Sequence, residues 1–198
     1  MPQPELRTIV NKLGFIALGA NATSSVGPPL FTIKEALLRL SVDSLTIRKV
    51  SNFYGTPAFP AGSGPDFINA VAEIETDMEP GPLMAHLHRV EASLGRERLT
   101  RWGPRVIDLD LIALSDLILP DVDTFAAWQT LSLDHQKERA PDQLILPHPR
   151  LQDRSFVLGP LCDIAPTWRH PVLGQTARTL FEALPEADKD ALTLLAGS

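Results

Sequence analysis

The hydrophobic positions of this chain follow two spacings, and the places where the spacing changes mark out its elements. Gly14 to Ala20, GFIALGA, is a short apolar run closed by a Gly-Ala-Asn turn at Gly19 to Asn21, which predicts a buried first strand. Thr32-Ile33-Lys34-Glu35 has capping-box spacing, and Leu30, Ile33, Leu37, Leu38 and Leu40 form a helical stripe around it, so a helix is predicted there. Residues 44–54, SLTIRKVSNFY, are rich in β-branched and aromatic types and predict a second strand. They run into GTPAFPAGSGP, a Gly/Pro-rich loop that is a candidate lid. In residues 67–76, FINAVAEIET, period two puts Ile68, Ala70, Ala72 and Ile74 on one face of a third strand and Phe67, Asn69 and Val71 on the other. After the breaker at Glu79 to Pro82, Leu83, Leu87, Val90 and Leu94 fall at helical spacing, and Gly95 closes that helix. Val106 to Leu114 is the predicted fourth strand.

The order β, α, β, β, α, β is the split β-α-β arrangement of an α+β fold: an antiparallel sheet with both helices on one face and the other face free for a ligand. Beyond the fourth strand the pattern is less regular. Residues 121–142 are polar and helix-leaning and predict an inserted surface segment in a single domain spanning 1–198.

Composition removes several classes of function. With 198 residues, 44% hydrophobic and 21% charged, the chain suits a soluble protein with one sizeable core. A formal net charge of −6 leaves no footprint for nucleic acid or an anionic membrane, so any anionic ligand must meet a local basic cluster. No apolar run approaches the ~18 residues of a spanning helix, and MPQPELRTIVNKLG carries no export signal, so the expected location is cytoplasmic. The single cysteine, Cys162, suits a reducing compartment and is expected as a small core residue.

The basic cluster lies around RWGPRVIDLDLI, residues 101–112. Residues two apart on a strand share a face, so Asp108 and Asp110 present two carboxylates together while Ile107, Leu109 and Leu111 pack behind. Mg²⁺ takes one or two carboxylates plus substrate phosphates, which such a pair fits. Alone, D-x-D reads more readily as the solvated side of an amphipathic strand than as a metal site. Arg96, Arg98, Arg101 and Arg105 alter the balance, because planar guanidinium groups bind phosphate oxygens bidentately. The chain has neither a Walker loop nor a dinucleotide-binding turn, so arginines and metal would have to hold a nucleotide. Further on, His148, Arg154 and Phe156 make a second polar and aromatic group.

LGAN, FYGTPAF, DFINAV, GRERLTRWGPRVIDLDLI and LPHPRLQDRSFVLGPLCDIAP occur in this order over most of the chain, and together they resemble the 6-hydroxymethyl-7,8-dihydropterin pyrophosphokinases of folate biosynthesis. The resemblance implies a ferredoxin-like fold elaborated to three α/β/α layers, two Mg²⁺ ions, ATP as donor, and transfer of pyrophosphate to the pterin hydroxymethyl with release of AMP. It assigns Asp108 and Asp110 to metal binding and, with Arg96 and Arg105, to catalysis. His88, Glu91, Arg98, Trp102, Ile145, His148 and Arg154 fall on the ATP side, with Trp102 closing over bound substrates. Phe67 and Phe156 would sandwich the pterin ring while Thr56 and Asn69 hydrogen-bond its edge. Ala58, Phe67, His88 and Gln143 depart from residues common in the family. A monomer with small-molecule substrates, and neither nucleic-acid nor membrane partners, is expected. The competing readings are a metal-dependent nucleotidyltransferase releasing pyrophosphate, a catalytically inactive relative, and an RNA-binding module with aromatics on the open sheet face. The last is opposed by the acidic balance and by the lack of an RNP-type stretch.

Overall fold

The computed structural model describes residues 11–58, 64–96, 105–132, 135 and 141–195. Its leading half comprises strand β1 (Lys12–Ala20), helix α1 (Pro29–Leu40), strands β2 (Leu45–Val50), β3 (Tyr54–Thr56) and β4 (Phe67–Thr76), helix α2 (Pro80–Ser93) and strand β5 (Asp108–Leu114). There follow α3 (Val122–Gln129), a 3-10 turn (Leu151–Asp153), α4 (Ser155–Ile164), α5 (Ala177–Glu182), α6 (Glu186–Asp190) and the short strand β6 (Thr193–Leu194).

The sheet order is β5-β1-β4-β3-β6, with β2 also paired to β4, and the pairings are antiparallel. With β2 and β3 counted as one edge, this is the split β-α-β order that the sequence predicts. The expected second strand is nevertheless two strands: β2 covers Ala72 to Thr76 of β4, and β3 covers Phe67 to Asn69. Between them, the backbone N–H of Ser51 donates to Val71 O at 2.9 Å, while Ser51 Oγ accepts from Val71 N–H at 2.9 Å. A side-chain oxygen thus stands in for a ladder carbonyl where the edge is interrupted, and Gly55 and Thr56, expected in a loop, continue the sheet.

Helix α1 also starts earlier than expected. Pro28 is its N-cap, Pro29 takes the first helical position, and no side chain caps it. Thr32, the expected cap, lies fully buried inside the helix, while Glu35 pairs with Arg39 at 2.8 Å instead of closing a box. The buried side carries Thr32, Ile33, Ala36 and Leu40; Leu38 is 73% exposed and does not belong to the stripe.

Strand parity is as the period predicts. Ile16, Leu18, Ala70, Ala72, Ile74, Leu109 and Leu111 pack with Ile33, Leu40, Leu83 and Leu87 beneath α1 and α2. On the opposite face Phe15, Val71, Ile112 and Ala113 pack with Val157, Leu158 and Leu161 of α4 and Leu180 of α5. That face is therefore covered along much of its length rather than free, and the end carrying Phe67, Asn69, Asp108 and Asp110 lies beyond the α4 and α5 cluster. A bulge where β1 meets β5, between Phe15 and Ile16, lets Ile112 and Ala113 both join the α4 side. The 121–142 segment contributes α3, capped by Asp121, whose carboxylate accepts from Thr124 N–H at 2.7 Å. Contrary to a purely surface insertion, its Phe125 is fully buried, 5.5 Å from the His170 ring. Cys162 is partly buried at the edge of the α4 cluster, and burial pushes its thiol up to about 11.

Candidate active site

The site grows from one residue without a side chain. Gly19, near the end of β1, pairs with Asp108 of β5 on one side and Asn69 of β4 on the other, and Asn69 in turn pairs with Tyr54 of β3. These residues form a row across the sheet on its α4 face. Two strand spacings put the Asp108 and Asn69 backbones roughly 10 Å apart. A Cβ at Gly19 would lie 3.2 Å from Asn69 Oδ1, so glycine keeps the floor between them open.

On the β5 side, Asp108 is held by two arginines. Arg96, just past the end of α2, reaches Asp108 Oδ1 at 2.6 Å and also pairs with Glu91. Arg105 pairs with the other oxygen of Asp108. Glu91, 2% exposed on α2, accepts from the backbone N–H of Leu109 at 2.8 Å, which ties the helix to the link between the two aspartates. Burial alone would lower the pKa of the Arg96 guanidinium, but Asp108, Glu91 and Asp110 together push it up, so its charge is secure. Asp110 lies more open and is approached by Arg154 at 3.5 Å. Glu91, Asp108 and Asp110 thus face Arg96, Arg105 and Arg154, and the carboxylates hold the arginines in place.

Arg105 is positioned by Asn21, which is 4% exposed. Asn21 Oδ1 accepts from Arg105 N–H at 2.7 Å, the Asn21 backbone N–H donates to Arg105 O at 3.0 Å, and Asn21 Nδ2 donates to Pro65 O at 3.0 Å. One side chain therefore ties β1 to the arginine segment and to the loop before β4. In the sequence Asn21 belongs to a turn with no mark of a role in the site, because its partners lie far away in the chain and no local pattern points to them.

His148 hydrogen-bonds through its backbone N–H to Ile112 O at 2.8 Å, and its Nδ1 accepts from Arg150 N–H at 3.0 Å. Burial first, then the nearby Arg154 charge, holds its pKa well below the ordinary histidine value, so at neutral pH it is an uncharged ring with its proton on Nε2, a hydrogen-bond donor. The Arg154 guanidinium lies 5.7 Å from the centre of the Phe156 ring, at the start of α4. On the β4 side, Asn69 Nδ2 donates to Thr56 Oγ1 at 2.8 Å, and Phe67 pairs with Thr56 across β3 and β4.

Most of the expected site residues therefore converge at one end of the sheet. Ile145 is buried at 5% beside the Leu119 and Leu146 bridge, while His88 and Gln143 are exposed. Arg98, Arg101, Trp102 and residues 59–63 of the candidate lid lie outside the described residues. Among the described residues no three His, Cys, Asp or Glu side chains converge as a ready-made metal cage. The donor set is instead an oxygen-only pair on one strand face, 18% and 40% exposed at Asp108 and Asp110, and it fits an ion that completes its shell with phosphate oxygens and water.

Fold and site together define an α+β protein of split β-α-β order with a carboxylate pair and arginines gathered at one end of its antiparallel sheet. The family model for 7,8-dihydro-6-hydroxymethylpterin-pyrophosphokinase (HPPK) matches residues 15–166, and the chain belongs to that family. The pyrophosphokinase of Synechocystis sp. is 34% identical over 168 residues, 84% of this chain and 73% of that protein. Its Haemophilus influenzae counterpart is 35% identical over 151 residues, 76% of this chain and 80% of the relative. The folic acid synthesis protein fol1 of Pneumocystis carinii is 31% identical over 91% of this chain, but the chain spans only 21% of that longer protein. Among solved structures, a Plasmodium falciparum HPPK-DHPS shares the fold with a TM-score of 0.62 at 16% identity, covering 89% of this chain and 45% of that one. As a member of the family the protein is an ATP-dependent diphosphokinase, transferring pyrophosphate to the hydroxymethyl group of hydroxymethyldihydropterin in folate biosynthesis.

Proposed function

We propose that this transfer takes place across the Gly19 row, with the nucleotide phosphates on the Asp108 side and the pterin on the Asn69 side. The observation that carries the reading is that pairing: one strand position without a side chain separates a carboxylate pair ringed by arginines from an amide that faces a flat, aromatic-lined end of the sheet. Asp108 and Asp110 would hold two Mg²⁺ ions, whose chemistry is to neutralise and polarise phosphate oxygens. Arg96, Arg105 and Arg154, seated on the carboxylates, are poised to exchange those partners for phosphate oxygens, with Arg98, His148 and Trp102 assigned to the same side. Glu91, Ile145 and His88 would frame the nucleotide end. Phe67 and Phe156 would stack on the pterin while Asn69 and Thr56 read its edge, since an amide and a hydroxyl match a ring with alternating donors and acceptors.

In the reaction the hydroxymethyl oxygen forms a bond to the β-phosphorus as the bond from that phosphorus to the α,β-bridging oxygen breaks; AMP leaves with the bridging oxygen, and the hydroxyl proton is released to solvent. Positioning and charge stabilisation by the arginines do most of the work. The substrates are small molecules, and the chain is taken to act as a monomer.

The test is to mix the protein with MgATP and 6-hydroxymethyl-7,8-dihydropterin and resolve the nucleotide products. AMP formed in step with pyrophosphorylated pterin is expected, and ADP or free pyrophosphate as the coupled product overturns the reading. Asp110→Ala should lower turnover by about a thousandfold or more with the melting curve unchanged, as loss of a metal ligand predicts. Normal turnover in that variant removes the two-metal assignment.

A further inference from the structure

We propose that Asp163 is a positioning residue for the pterin, fixing β3 against α4 so that Thr56 on the strand and Phe156 on the helix keep a set separation. Strand β3 is short and gains little from its backbone alone, with three residues paired to β4 and two to β6. Its attachment to the helix layer is made by the Asp163 carboxylate. Oδ2 accepts from both the backbone N–H and the Nδ2 of Asn52, each at 3.1 Å, and the Tyr54 hydroxyl lies 3.0 Å from each oxygen. Tyr54 is the residue paired with Asn69, so its side chain leaves the sheet on the α4 face, where Asp163 waits. Burial first, then Asp163, raises the Tyr54 pKa, which keeps the phenol protonated as a donor.

The helix supplies the other half of the device. Phe156 and Asp163 are seven residues apart on α4, two turns, so they lie on one side of the helix about 10 Å apart along its axis. One end of this stripe presents the ring assigned to stacking, and the other grips the strand that carries Thr56, the acceptor of Asn69 Nδ2. Asp163 is exposed, so its hydrogen bonds contribute little to global stability. Its effect lies in where β3 sits. Sequence reading passes over it, because an aspartate near the end of an amphipathic helix reads as solvated.

This inference rests on the assignment of Thr56, Asn69 and Phe156 to the pterin, and steady-state kinetics with each substrate varied tests the two separately. Asp163→Ala should raise the pterin KM about fivefold, the scale of one lost hydrogen bond, with the ATP KM within about twofold of the parent and the melting temperature nearly unchanged. Tyr54→Phe should shift the pterin KM in the same direction by a smaller factor, and the double variant should be no worse than Asp163→Ala alone, because Asp163→Ala already removes the Tyr54 contact. Asp163→Asn, which keeps one acceptor oxygen, should restore most of the loss. An unchanged pterin KM in Asp163→Ala, or a parallel rise of both KM values with a lower melting temperature, overturns the proposal. Asn69→Ala is the control. If it raises the pterin KM while Asp163→Ala does not, the pterin assignment stands and Asp163 has no part in it; if neither does, the pterin assignment itself fails.

Discussion

Gly19 shows at the scale of one residue how the site depends on something absent. The backbone there is ordinary strand, so glycine is required by its neighbours rather than by a special torsion angle. A methyl group would press on Asn69 Oδ1 at 3.2 Å, and the amide would have to shift. Gly19→Ala is expected to raise the pterin KM about tenfold, the equivalent of about 1.4 kcal/mol of misplacement, while leaving the ATP KM close to the parent value. A pterin KM unchanged by that substitution would show that the pterin edge does not lie across β1. Asp108 and Asp110 were legible because strand parity is local: with Leu109 and Leu111 in the core, both aspartates must face the other way. Asn21 was not legible, since its role consists of hydrogen bonds to Arg105 and Pro65, neither of them a sequence neighbour.

Elements were legible where their period was strong, and their ends where the backbone chemistry was unambiguous. Strand β4 has the bounds its alternation predicts, and α2 ends before Gly95, whose φ of 89° glycine adopts without strain. The start of α1 was misplaced because Pro28 and Pro29 pre-set helical entry ahead of Thr32, and a motif three residues inside a helix cannot cap it. Helix α3 is the larger surprise. Its sequence is polar enough to read as surface, yet Phe125 is fully buried against His170. Phe125→Ala should destabilise the protein by about 3–5 kcal/mol in a denaturant titration, whereas Leu38→Ala, on the exposed side of α1, should change stability by less than about 0.5 kcal/mol. Equal effects of the two would mean that α3 does not dock on the C-terminal layer.

For the molecule as a whole, His170 and His148 weaken the native state against acid. His170 is fully buried between the Phe125 and Trp168 rings, and its Nδ1 accepts from Val172 N–H and Leu173 N–H at 3.2 Å each. Its Nε2 has no acceptor among the described residues, and burial pushes its pKa down to about 4 from 6.5. Because the unfolded chain takes up this proton at higher pH than the native state, stability is fully present above 6.5 and falls as pH drops towards 4, by an amount on the order of 3 kcal/mol. His148 shifts in the same direction and adds to the loss. His170→Asn, whose Oδ1 can accept the same two backbone N–H groups, should flatten the fall in melting temperature between those limits without abolishing it. Parallel pH curves for parent and variant would exclude His170 as a source of the acid sensitivity.

Periodicity by itself determined the order of strands and helices in the leading half and the faces of β1 and β4, because the periods of strand and helix are properties of the backbone; it did not separate β2 from β3 or place Leu38 outside the α1 stripe. The motifs determined the family, since arginines, paired aspartates and the later His-Arg-Phe group occur in a fixed order. Only the tertiary structure decided that α4 covers much of the second sheet face, that Phe125 is buried, and that Gly19, Asn21 and Asp163 link strands, the Arg105 segment and α4 at one end of the sheet. Each of these depends on contacts between residues distant in the chain, where the free energy lies in burial and hydrogen-bond geometry that no local pattern encodes.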